Sequence, residues 1–593
     1  MRHFLAVILF FVGGISIAQN DLLAKNYFEQ GEYEKALSLY KKLVAQTPGN
    51  NNYFIGLIKT YQQLEQFQEA ESRLEERLNT PRPAPDLFVE LGHNFTLQQQ
   101  DSLANVQFRK AIDFVKQNPV YTYIVGRAFT EYSLLDEAII VYEWSMQTDP
   151  SRDFYLQLAQ IYGEKGDLEK MFEMYLSLIK TNPDFGNSIK RSFSQYIDED
   201  PLNESNQMLR KALLKKLQQD PDVLYNELLS WLFIQQKEYK KAFVQEKAIY
   251  TRRGETLEGL IDLGRIALED EHYGDAKEIV QFIVDRASNI PTKIEAYQQL
   301  MLIEINLADK KDFPKIDQQF KELFQTYGNG RETYALQLDY NDFLAYQFDK
   351  KEEAIQNLKA LTKQDLSVYQ EARVKLKLAD ILVFDERFNE ALIYYSQVQN
   401  KVKNDVLAQE ARFKVARTSY FKGDFQWAQV QLDVLKKSAS QLIANDAMQL
   451  SLMISDNSLE DSTQTALRKY AKADLRDLQH HYQEASDILK DLLLNNKGEA
   501  VEDEALLKLG SIYEKLHEYP LAETQYLKLI ELYNDDILAD DAHFRLGLLY
   551  QNQLAAPQKA KEQFEIIIFD FEDSIYFVEA RKRFRMLRGD EIN

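Results

Sequence analysis

The sequence predicts an all-α solenoid of about 14 to 16 antiparallel helix pairs that ends in a C-terminal capping helix. A phrase such as "GEYEKALSLYKKLVAQTP" at 31–48 returns about every 34 residues, and small and aromatic residues keep the same period. The chain has 593 residues but only 21 Gly and 13 Pro, and 28% of it is charged. A chain of this length exceeds a single compact core, so we expect an elongated, ordered array.

Three series of residues define the period through residue 185. The first series is aromatic, the second is small, and the third supplies a bulky residue four positions after the second. In order, they are Tyr27, Tyr61, Phe95, Phe129 and Tyr162; Ala36, Ala70, Ala104, Ala138 and then Met171; and Tyr40, Leu74, Phe108, Tyr142 and Tyr175. Alanine lets a second helix lie close to the first, the aromatic rings fill the space between them, and prolines such as Pro48 and Pro81 end the second helix.

This agreement of spacing and residue type resembles the tetratricopeptide repeat (TPR) family. The resemblance implies a right-handed superhelix of antiparallel helix pairs. It also implies that the first helix of each pair lines a concave groove in which other proteins bind.

The repeat pattern divides the chain into segments. Residues 19–185 follow the 34-residue period, 186–330 are degenerate TPR-like helices, and "YGNGRET" at 327–333 marks a boundary. Residues 331–593 form a C-terminal array whose small residues are spaced 37, 57, 37 and 38, at Ala391, Ala428, Ala485, Ala522 and Ala560. The interval of 57 predicts an extra helix near "NDAMQLSLMIS".

Residues 365–593 also resemble repeats of two Gram-negative envelope proteins. These are the repeat lipoprotein of the β-barrel assembly machinery and the periplasmic coordinator of the Tol-Pal system. The lipoprotein family is anchored through a cysteine, and this chain has none. We therefore expect no direct lipid anchor.

The N-terminus has the features of an export signal. "MRHFLAVILFFVGGISIAQN" contains a cationic start, nine apolar residues from Phe4 to Val12, and small residues at Ser16 and Ala18. We predict that residues 1–18 are a signal peptide cleaved after Ala18, which makes the mature chain periplasmic. The alternative is an uncleaved anchor, but the apolar stretch is shorter than the ~20 residues that span a bilayer. No transmembrane segment is expected in the mature chain.

Composition and motifs argue against several functions. The net charge of -22 becomes -23 without residues 1–18, and a chain this acidic repels nucleic-acid backbones. Without cysteine there are no disulfides or thiolate nucleophiles. The sequence has no H-E-x-x-H, G-x-S-x-G or phosphate-binding glycine motif, and adjacent His480 and His481 are a poor metal pair. We predict no catalytic residues, no metal and no cofactor.

Four cations share the ninth repeat position on successive first helices: Lys25, Lys59, His93 and Arg127. In the TPR family this position lines the groove, so the residues form a candidate basic ladder for an acidic or carboxylate-ending segment of another protein. The alternative is that they are ordinary solvated cations. The family's carboxylate clamp wants Lys and Asn at the fifth and ninth positions, where this chain has Asp21 and Lys25. Chaperone-tail binding is therefore not predicted.

The C-terminal cap is predicted at 575–588. Phe577, Ala580, Phe584 and Leu587 form one helical stripe, which a solenoid needs in order to close its last apolar face. Four cations lie mostly outside the stripe and give a second candidate partner-binding site: Arg581, Lys582, Arg585 and Arg588.

These observations favour a non-catalytic periplasmic TPR scaffold that binds proteins in an envelope process, namely outer-membrane assembly, secretion or cell-wall machinery. Such a role is compatible with an indirect association with the outer membrane. A glycan-capture protein of a nutrient-uptake system is an alternative, although the chain has only three Trp. An enzyme with an unrecognised site is a more remote alternative.

Overall fold

The computed structural model describes residues 20–80, 84–254, 256–438, 441–458 and 464–590. Throughout these ranges the regular secondary structure is helical, with no strand. The predicted signal peptide at 1–18 and its cleavage point lie outside the described residues, as does Pro81.

The chain divides into two compact units between Leu263 and Gly264, within helix α15. The sequence boundaries after residues 185 and 330 were set by repeat period rather than by contacts, and they stay predictions. The helices of the first unit, up to the one that contains the division, are 20–29 (α1), Tyr33–Gln46 (α2), Asn51–Gln63 (α3), Phe67–Leu78 (α4), Asp86–Leu97 (α5), Asp101–Gln117 (α6), Thr122–Glu131 (α7), Leu135–Thr148 (α8), Tyr155–Glu164 (α9), Leu168–Thr181 (α10), Gly186–Phe193 (α11), Glu204–Gln219 (α12), Val223–Gln235 (α13), Tyr239–Arg252 (α14) and Glu258–Glu269 (α15).

The second unit continues in the same manner. Its helices are Tyr273–Arg286 (α16), Ile290–Leu307 (α17), Phe313–Tyr327 (α18), Tyr334–Asp342 (α19), Lys351–Leu361 (α20), Val368–Phe384 (α21), Phe388–Lys401 (α22), Val406–Lys422 (α23), Phe425–Ser438 (α24), Gln441–Asp456 (α25), Thr465–Leu478 (α26), Tyr482–Asn495 (α27), Glu502–Lys515 (α28), Tyr519–Tyr533 (α29), Ala539–Asn552 (α30), Pro557–Asp570 (α31) and Phe577–Arg588 (α32). Short 3₁₀ turns lie at Pro119–Tyr121, Pro183–Phe185, Lys310–Asp312 and Arg331–Thr333, and a π-helical turn, Phe343–Gln347, follows α19.

The predicted fold class is confirmed: the described residues form an all-α solenoid of helix pairs. In chain order they give fifteen pairs, from α1/α2 to α30/α31, within the expected 14 to 16. Two helices stand outside the pairing. Helix α25 contains the extra segment expected in the 57-residue interval, and α32 is the C-terminal cap.

Burial of the small-residue series explains why the helices pair closely. Ala36, Ala70 and Ala138 are fully buried, and Ala104 is 2% exposed. The small residues of the C-terminal array, from Ala391 to Ala560, are also fully buried. Because a larger side chain at these points would push the second helix away, alanine sets the distance between the helices of a pair.

The turn between the two helices of a pair has a common backbone geometry. In the first five pairs one residue is left-handed, with φ between 55° and 77°, at Gly31, Glu65, Gln99, Ser133 and Gly166. In each case a backbone N–H beyond the turn donates to the carbonyl of the aromatic residue that starts it, at 2.9 Å: Tyr27, Tyr61, Phe95, Phe129 and Tyr162. This is the six-to-one hydrogen bond of a Schellman motif, so the aromatic series fixes both the core and the turn.

The last helix, α32, covers the end of the C-terminal array. Ala580 is fully buried, while Phe584 and Leu587 are partly buried against the core. Just before the helix, the Tyr576 ring stacks on Phe544, with centroids 4.3 Å apart, and the Tyr576 hydroxyl donates to Asp541 at 2.6 Å. The apolar stripe predicted from the sequence therefore faces the array.

Close packing around Gly547 in the second unit predicts that a larger residue at this position destabilises the fold. A Cβ on Gly547 of α30 would lie 2.7 Å from Cε1 of the buried Phe564 ring, whereas a Cβ on Gly274 of α16 would meet no atom within 4 Å. We expect Gly547→Ala to lower the free energy of unfolding by about 1–3 kcal/mol because the ring has no room to move. Urea denaturation followed by circular dichroism measures this loss. Gly274→Ala is the control and should cause no loss, since alanine favours a helix; equal midpoints for the two variants would contradict the packing argument.

Candidate functional site

The predicted basic ladder lies on the first helices α1, α3, α5 and α7, and two of its cations meet around one tyrosine. The His93 ring stacks on Tyr132 with centroids 3.8 Å apart, and Lys59 Nζ lies 5.6 Å from the centre of the same ring. Lys59 also forms an ion pair with Glu131, which is 72 positions away along the chain. We call Lys59, Glu90, His93, Glu131 and Tyr132 the N-terminal cluster.

A buried carboxyl group lies beneath this cluster. Glu90 is 3% exposed and accepts a hydrogen bond of 2.6 Å from the Tyr132 hydroxyl. Burial raises the pKa of Glu90 to about 7, although the Tyr132 hydrogen bond and the charge of Lys59 oppose this rise. Burial, with a smaller contribution from Lys59, lowers the pKa of His93. His93 is therefore mostly neutral at pH 7, which reduces the positive charge of the ladder.

The other two ladder residues do not join the cluster. Lys25 lies 3.8 Å from Glu29 on its own exposed helix surface. Arg127 is exposed on α7, and its charge acts to lower the pKa of the buried Asp86, whose net pKa is raised by burial. Lys25 and Arg127 are thus the exposed cations of the ladder.

The cationic side of the cap is partly neutralised within the chain. Arg588 pairs with Asp590, and Arg585 Nε lies 3.4 Å from the same carboxylate. Arg581 and Lys582 are exposed on α32.

The second unit contains a cavity of about 550 Å³, which we call the C-terminal cavity. Its floor is α23, with Lys414, Arg417, Thr418 and Phe421, and its walls come from α21 and α26. The π-helical turn after α19 contributes Tyr346. The remaining lining residues are Asp380, Val383, Phe384, Tyr395, Asp474, Asp477, Leu478, His480, Tyr482, Lys508 and Lys515. The volume lies within the range of small-ligand and peptide side-chain pockets.

The lysines of the C-terminal cavity are held by aspartates of neighbouring repeats. Lys414 Nζ lies 2.7 Å from Asp380, and Lys508 Nζ lies 2.6 Å from Asp474. Asp477 receives both Lys508, at 2.9 Å, and Lys515, at 2.5 Å. These contacts leave the lysine charges neutralised by the protein itself.

Electrostatics keep these ion pairs charged near neutral pH. Burial acts to raise the pKa of Asp477, but hydrogen bonds and charges from Lys515 and Lys508 outweigh it, so its net pKa is below the usual range. For Lys414, burial acts to lower the pKa and Asp380 outweighs it, so its pKa is raised.

The side chain of Arg417 is different. Its guanidinium lies 5.3 Å from the centre of the Phe421 ring, a cation–π contact. Within the residues that the structure describes, it forms no ion pair and no hydrogen bond with another side chain. The C-terminal cavity therefore presents one cation that no carboxylate of the described chain neutralises.

A long-range contact joins the two walls at the rim of the cavity. Gln479 Nε2 donates to the carbonyl of Phe384 at 2.9 Å, and Arg476 pairs with Glu386, 90 positions away along the chain. Phe384 is the last residue of α21, and Glu386 lies just beyond it. Arg476 lies in the last turn of α26, and Gln479 directly follows that helix. We call this the rim contact.

The sequence contains a second periodic series of cations, outside the predicted basic ladder, and two of its members line the C-terminal cavity. Lys377, Lys414 and Lys508 are spaced 37 and 94, where 94 is the sum of the intervals 57 and 37 of the C-terminal small-residue series, and Arg545 follows after 37, one less than the last interval of that series. Lys377 pairs with Asp342 at 2.7 Å in the same manner as Lys414 pairs with Asp380. A search for cations in phase with the longer repeat would have found this row.

In the described part of the chain, no group of three or more His, Asp or Glu is arranged to hold a metal ion. Among its helices, none has the combination of length and apolarity required to cross a bilayer.

The buried Glu90 predicts a pH-dependent local stability. Its pKa of about 7 in the folded chain exceeds the unfolded value of ~4.3, so the folded state holds an extra proton between these values and loses stability as pH rises through the window. Glu90→Gln cannot ionise and keeps an acceptor for Tyr132. We expect its α5 to be stabilised by about 1–3 kcal/mol over wild type at pH 8 and little changed at pH 4.

Hydrogen–deuterium exchange of α5 amides, compared between the two proteins at each pH, measures this difference. Tyr162→Phe, which removes a hydroxyl bonded to Glu143 in α8, serves as a control without effect on the pH dependence of α5. The same ratio of exchange rates at both pH values would contradict the assignment.

Comparison with known proteins supports the repeat assignment. Models of the tetratricopeptide repeat match residues 27–85 and residues 153–185. The TPR repeat-containing protein YpiA of Bacillus subtilis (strain 168) is 19% identical over 271 residues, which are 44% of this chain and 62% of that protein. The match thus spans less than two thirds of that relative.

Two solved structures align with 96% of this chain and 96% of their own. One is the crystal structure of the APC/C hetero-tetramer Cut9-Hcn1, at 15% identity and a TM-score of 0.23. The other is Naa15/Naa10 bound to HypK-THB, at 12% identity and a TM-score of 0.29. Scores this low add nothing to the fold described above. The matched repeat models and the helix pairs together establish that this chain contains tetratricopeptide repeats.

Proposed function

We propose that this protein is a non-catalytic scaffold that binds other proteins through the faces of its first helices. The observation that carries the proposal is the convergence of four successive first helices, α21, α23, α26 and α28, on one cavity. A repeated helix pair has no deep pocket of its own, so a site shared by several pairs is suited to an extended or protruding segment of a partner.

The scaffold is proposed to act in the bacterial periplasm, in outer-membrane assembly, secretion or cell-wall machinery. The support is the export signal read at residues 1–18 and the resemblance of residues 365–593 to repeats of envelope proteins. An association with the outer membrane would be indirect, through a protein partner.

The location is tested by fractionating cells of the native organism that carry a C-terminally tagged copy. We expect the tagged protein in the periplasmic fraction, with Gln19 as its first residue, because signal peptidase cleaves after a small residue such as Ala18. N-terminal sequencing of the purified protein makes the measurement. A cytosolic protein that still begins at Met1 would overturn the periplasmic assignment, whereas an uncleaved membrane-bound form would replace it with an anchored one.

Partner binding is tested by crosslinking in intact cells followed by mass spectrometry. We expect reproducible crosslinks from the first helices to a defined set of envelope proteins. Recovery of the protein alone, with no protein partner, would contradict the scaffold and favour glycan capture.

The basic ladder is tested in the same experiment with Arg127→Glu. Reversing Lys59 would place a carboxylate against Glu131 and disturb the fold, so the exposed Arg127 is the cleaner position. We expect recovery of a partner bound at this face to fall about 5- to 10-fold because one charged contact of roughly 1 kcal/mol becomes repulsive. Arg109→Glu, an exposed cation on the second helix α6, is the control. Equal recovery for both variants, with unchanged helicity, would remove the ladder from the binding surface.

A further inference from the structure

A second cavity of the second unit, of about 440 Å³, lies between α18, α19 and α20. Its volume is within the range of about 300–1,000 Å³ that small-molecule sites occupy. Because α18 and α20 are the second helices of their pairs, this cavity differs from the C-terminal cavity, which first helices line. We call it the amide pocket because six of its eleven lining residues are Asn or Gln: Gln325, Asn329, Gln337, Asn341, Asn357 and Gln364.

One face of each helix supplies this lining. Within a helix the lining residues are mostly three or four positions apart, so they project from the same side. They are Lys321, Phe324 and Gln325 on α18, Gln337, Tyr340 and Asn341 on α19, and Glu353, Asn357 and Ala360 on α20. Asn329 belongs to the "YGNGRET" segment between α18 and α19, and Gln364 follows α20. The carboxamides therefore surround the pocket rather than form one row.

Two of the carboxamides are buried and held in place by the chain. Gln337 is 8% exposed, and its Nε2 donates to the carbonyl of Gly330 at 3.0 Å and to Thr333 Oγ1 at 3.1 Å. Asn341 is 2% exposed, donates to the carbonyl of Gln337 at 2.6 Å and accepts from Asn357 at 3.1 Å. Among the described residues, none donates to Gln337 Oε1. This oxygen is available to a donor from outside the chain.

Three further carboxamides lie nearer the solvent. Gln325 and Asn329 are exposed, and Gln364 is half-buried. Within the part of the chain that the structure describes, their side chains form no hydrogen bond with another residue. Each carboxamide carries both an acceptor oxygen and N–H donors. The pocket thus offers donors and acceptors together.

The charged groups beside the amide pocket neutralise one another. Lys321 Nζ lies 2.9 Å from Asp317 and 3.8 Å from Glu353. Lys350 Nζ lies 3.0 Å and 3.9 Å from the same two carboxylates. Since two lysines face two carboxylates, these groups leave no net charge that would attract an ion.

An aromatic ring adds an apolar surface to the lining. Phe324 is partly buried and packs edge-on against Tyr340, with ring centroids 5.4 Å apart. The Tyr340 hydroxyl already donates to Asp317 at 2.6 Å. The face of an aromatic ring is negatively polarised, so it favours contact with the weakly positive C–H groups of a ligand.

These features together match the chemistry of a sugar. A neutral sugar has hydroxyl groups that both donate and accept, carries no charge, and has C–H groups on the faces of its ring. An extended peptide presents its amides along a line, whereas these carboxamides come from three helices and a loop around one pocket. The arrangement therefore favours a compact polyol over a peptide backbone.

We propose that the amide pocket binds a neutral carbohydrate. Gln325, Asn329 and Gln364 bond to its hydroxyl groups, the buried Gln337 accepts a hydrogen bond from one of them, and the Phe324 ring packs on a C–H face. This inference goes beyond the proposed scaffold function by adding a second class of ligand. Because the pocket lies between second helices, it leaves the faces of the first helices to protein partners.

The test uses saturation-transfer difference NMR on the full-length mature chain. The probes are maltose, cellobiose, lactose and N,N′-diacetylchitobiose, each at millimolar concentration. An acetylated and amidated trialanine tests whether the pocket takes a peptide backbone instead. We expect at least one sugar to receive saturation from the protein and to keep its signal when the peptide is added. A titration of that sugar gives its dissociation constant.

Two variants locate the binding. Asn329→Ala and Gln364→Ala should each weaken it about 3- to 10-fold because each removes a hydrogen bond to the ligand, and the double variant should weaken it about 10- to 100-fold. Gln356→Ala is the matched control and should leave the affinity unchanged. Gln356 is an exposed residue of α20 that bonds to Glu352 at 3.2 Å and does not line the pocket. Circular dichroism and the Tm of each variant verify that the fold is kept.

Three results would overturn the proposal. The first is no saturation transfer to any of the four sugars, and the second is an affinity that the double variant does not change. The third is displacement of the sugar by the peptide, which would assign the pocket to a polypeptide segment. Crosslinking to protein partners is a separate result, because it tests the scaffold function whether or not a sugar binds.

Discussion

The six-to-one backbone hydrogen bond at the turn inside a helix pair is the constraint on which most of the array depends. In the first five pairs it joins an N–H beyond the turn to the carbonyl of the aromatic in the last turn of the first helix, such as Tyr27 or Phe129. The same bond recurs in the second unit, for example from Glu518 to Tyr513 at 2.9 Å. Since one residue supplies both the ring of the core and the acceptor of the turn, the reversal of the chain cannot shift without unpacking the core.

Several buried tyrosines share one way of satisfying the hydroxyl group. The hydroxyls of Tyr162 and Tyr550 donate to glutamates at 2.6 Å, and that of Tyr395 donates to Asp380 at 2.6 Å. A buried phenol without an acceptor would cost free energy, and at these three positions a carboxylate supplies the acceptor. Part of the acidic composition of the chain is thus a consequence of its aromatic core rather than of its surface.

The fold could be predicted from the sequence because its determinants are local. The alanine and aromatic spacings report contacts between helices that are neighbours along the chain, and the 57-residue interval correctly contained α25. The helix pairs were therefore visible without knowledge of long-range contacts. The boundaries between segments were harder to predict from the sequence, because a repeat period does not indicate which repeats pack into one unit.

The sites were harder to predict because their charges are decided across repeats. Lys59 is neutralised by Glu131, which no local pattern links to it, and the neutral state of His93 follows from burial. In the C-terminal array the informative fact is which cation is left without a partner. Arg417 and Lys414 lie three residues apart on one helix, and only the three-dimensional positions of Asp380 and Asp474 distinguish them.

The rim contact also determines how this part of the chain responds to mechanical load. In most of a solenoid each helix pair touches only the pairs beside it, so a stretching force passes from one pair to the next. Arg476 and Glu386 are 90 positions apart along the chain and connect the ends of α26 and α21. A force that pulls these two ends apart therefore acts on this ion pair before it extends the helices between them. The rim contact thus gives the ends of α21 and α26, on opposite walls of the C-terminal cavity, a direct connection besides the helices that lie between them along the chain.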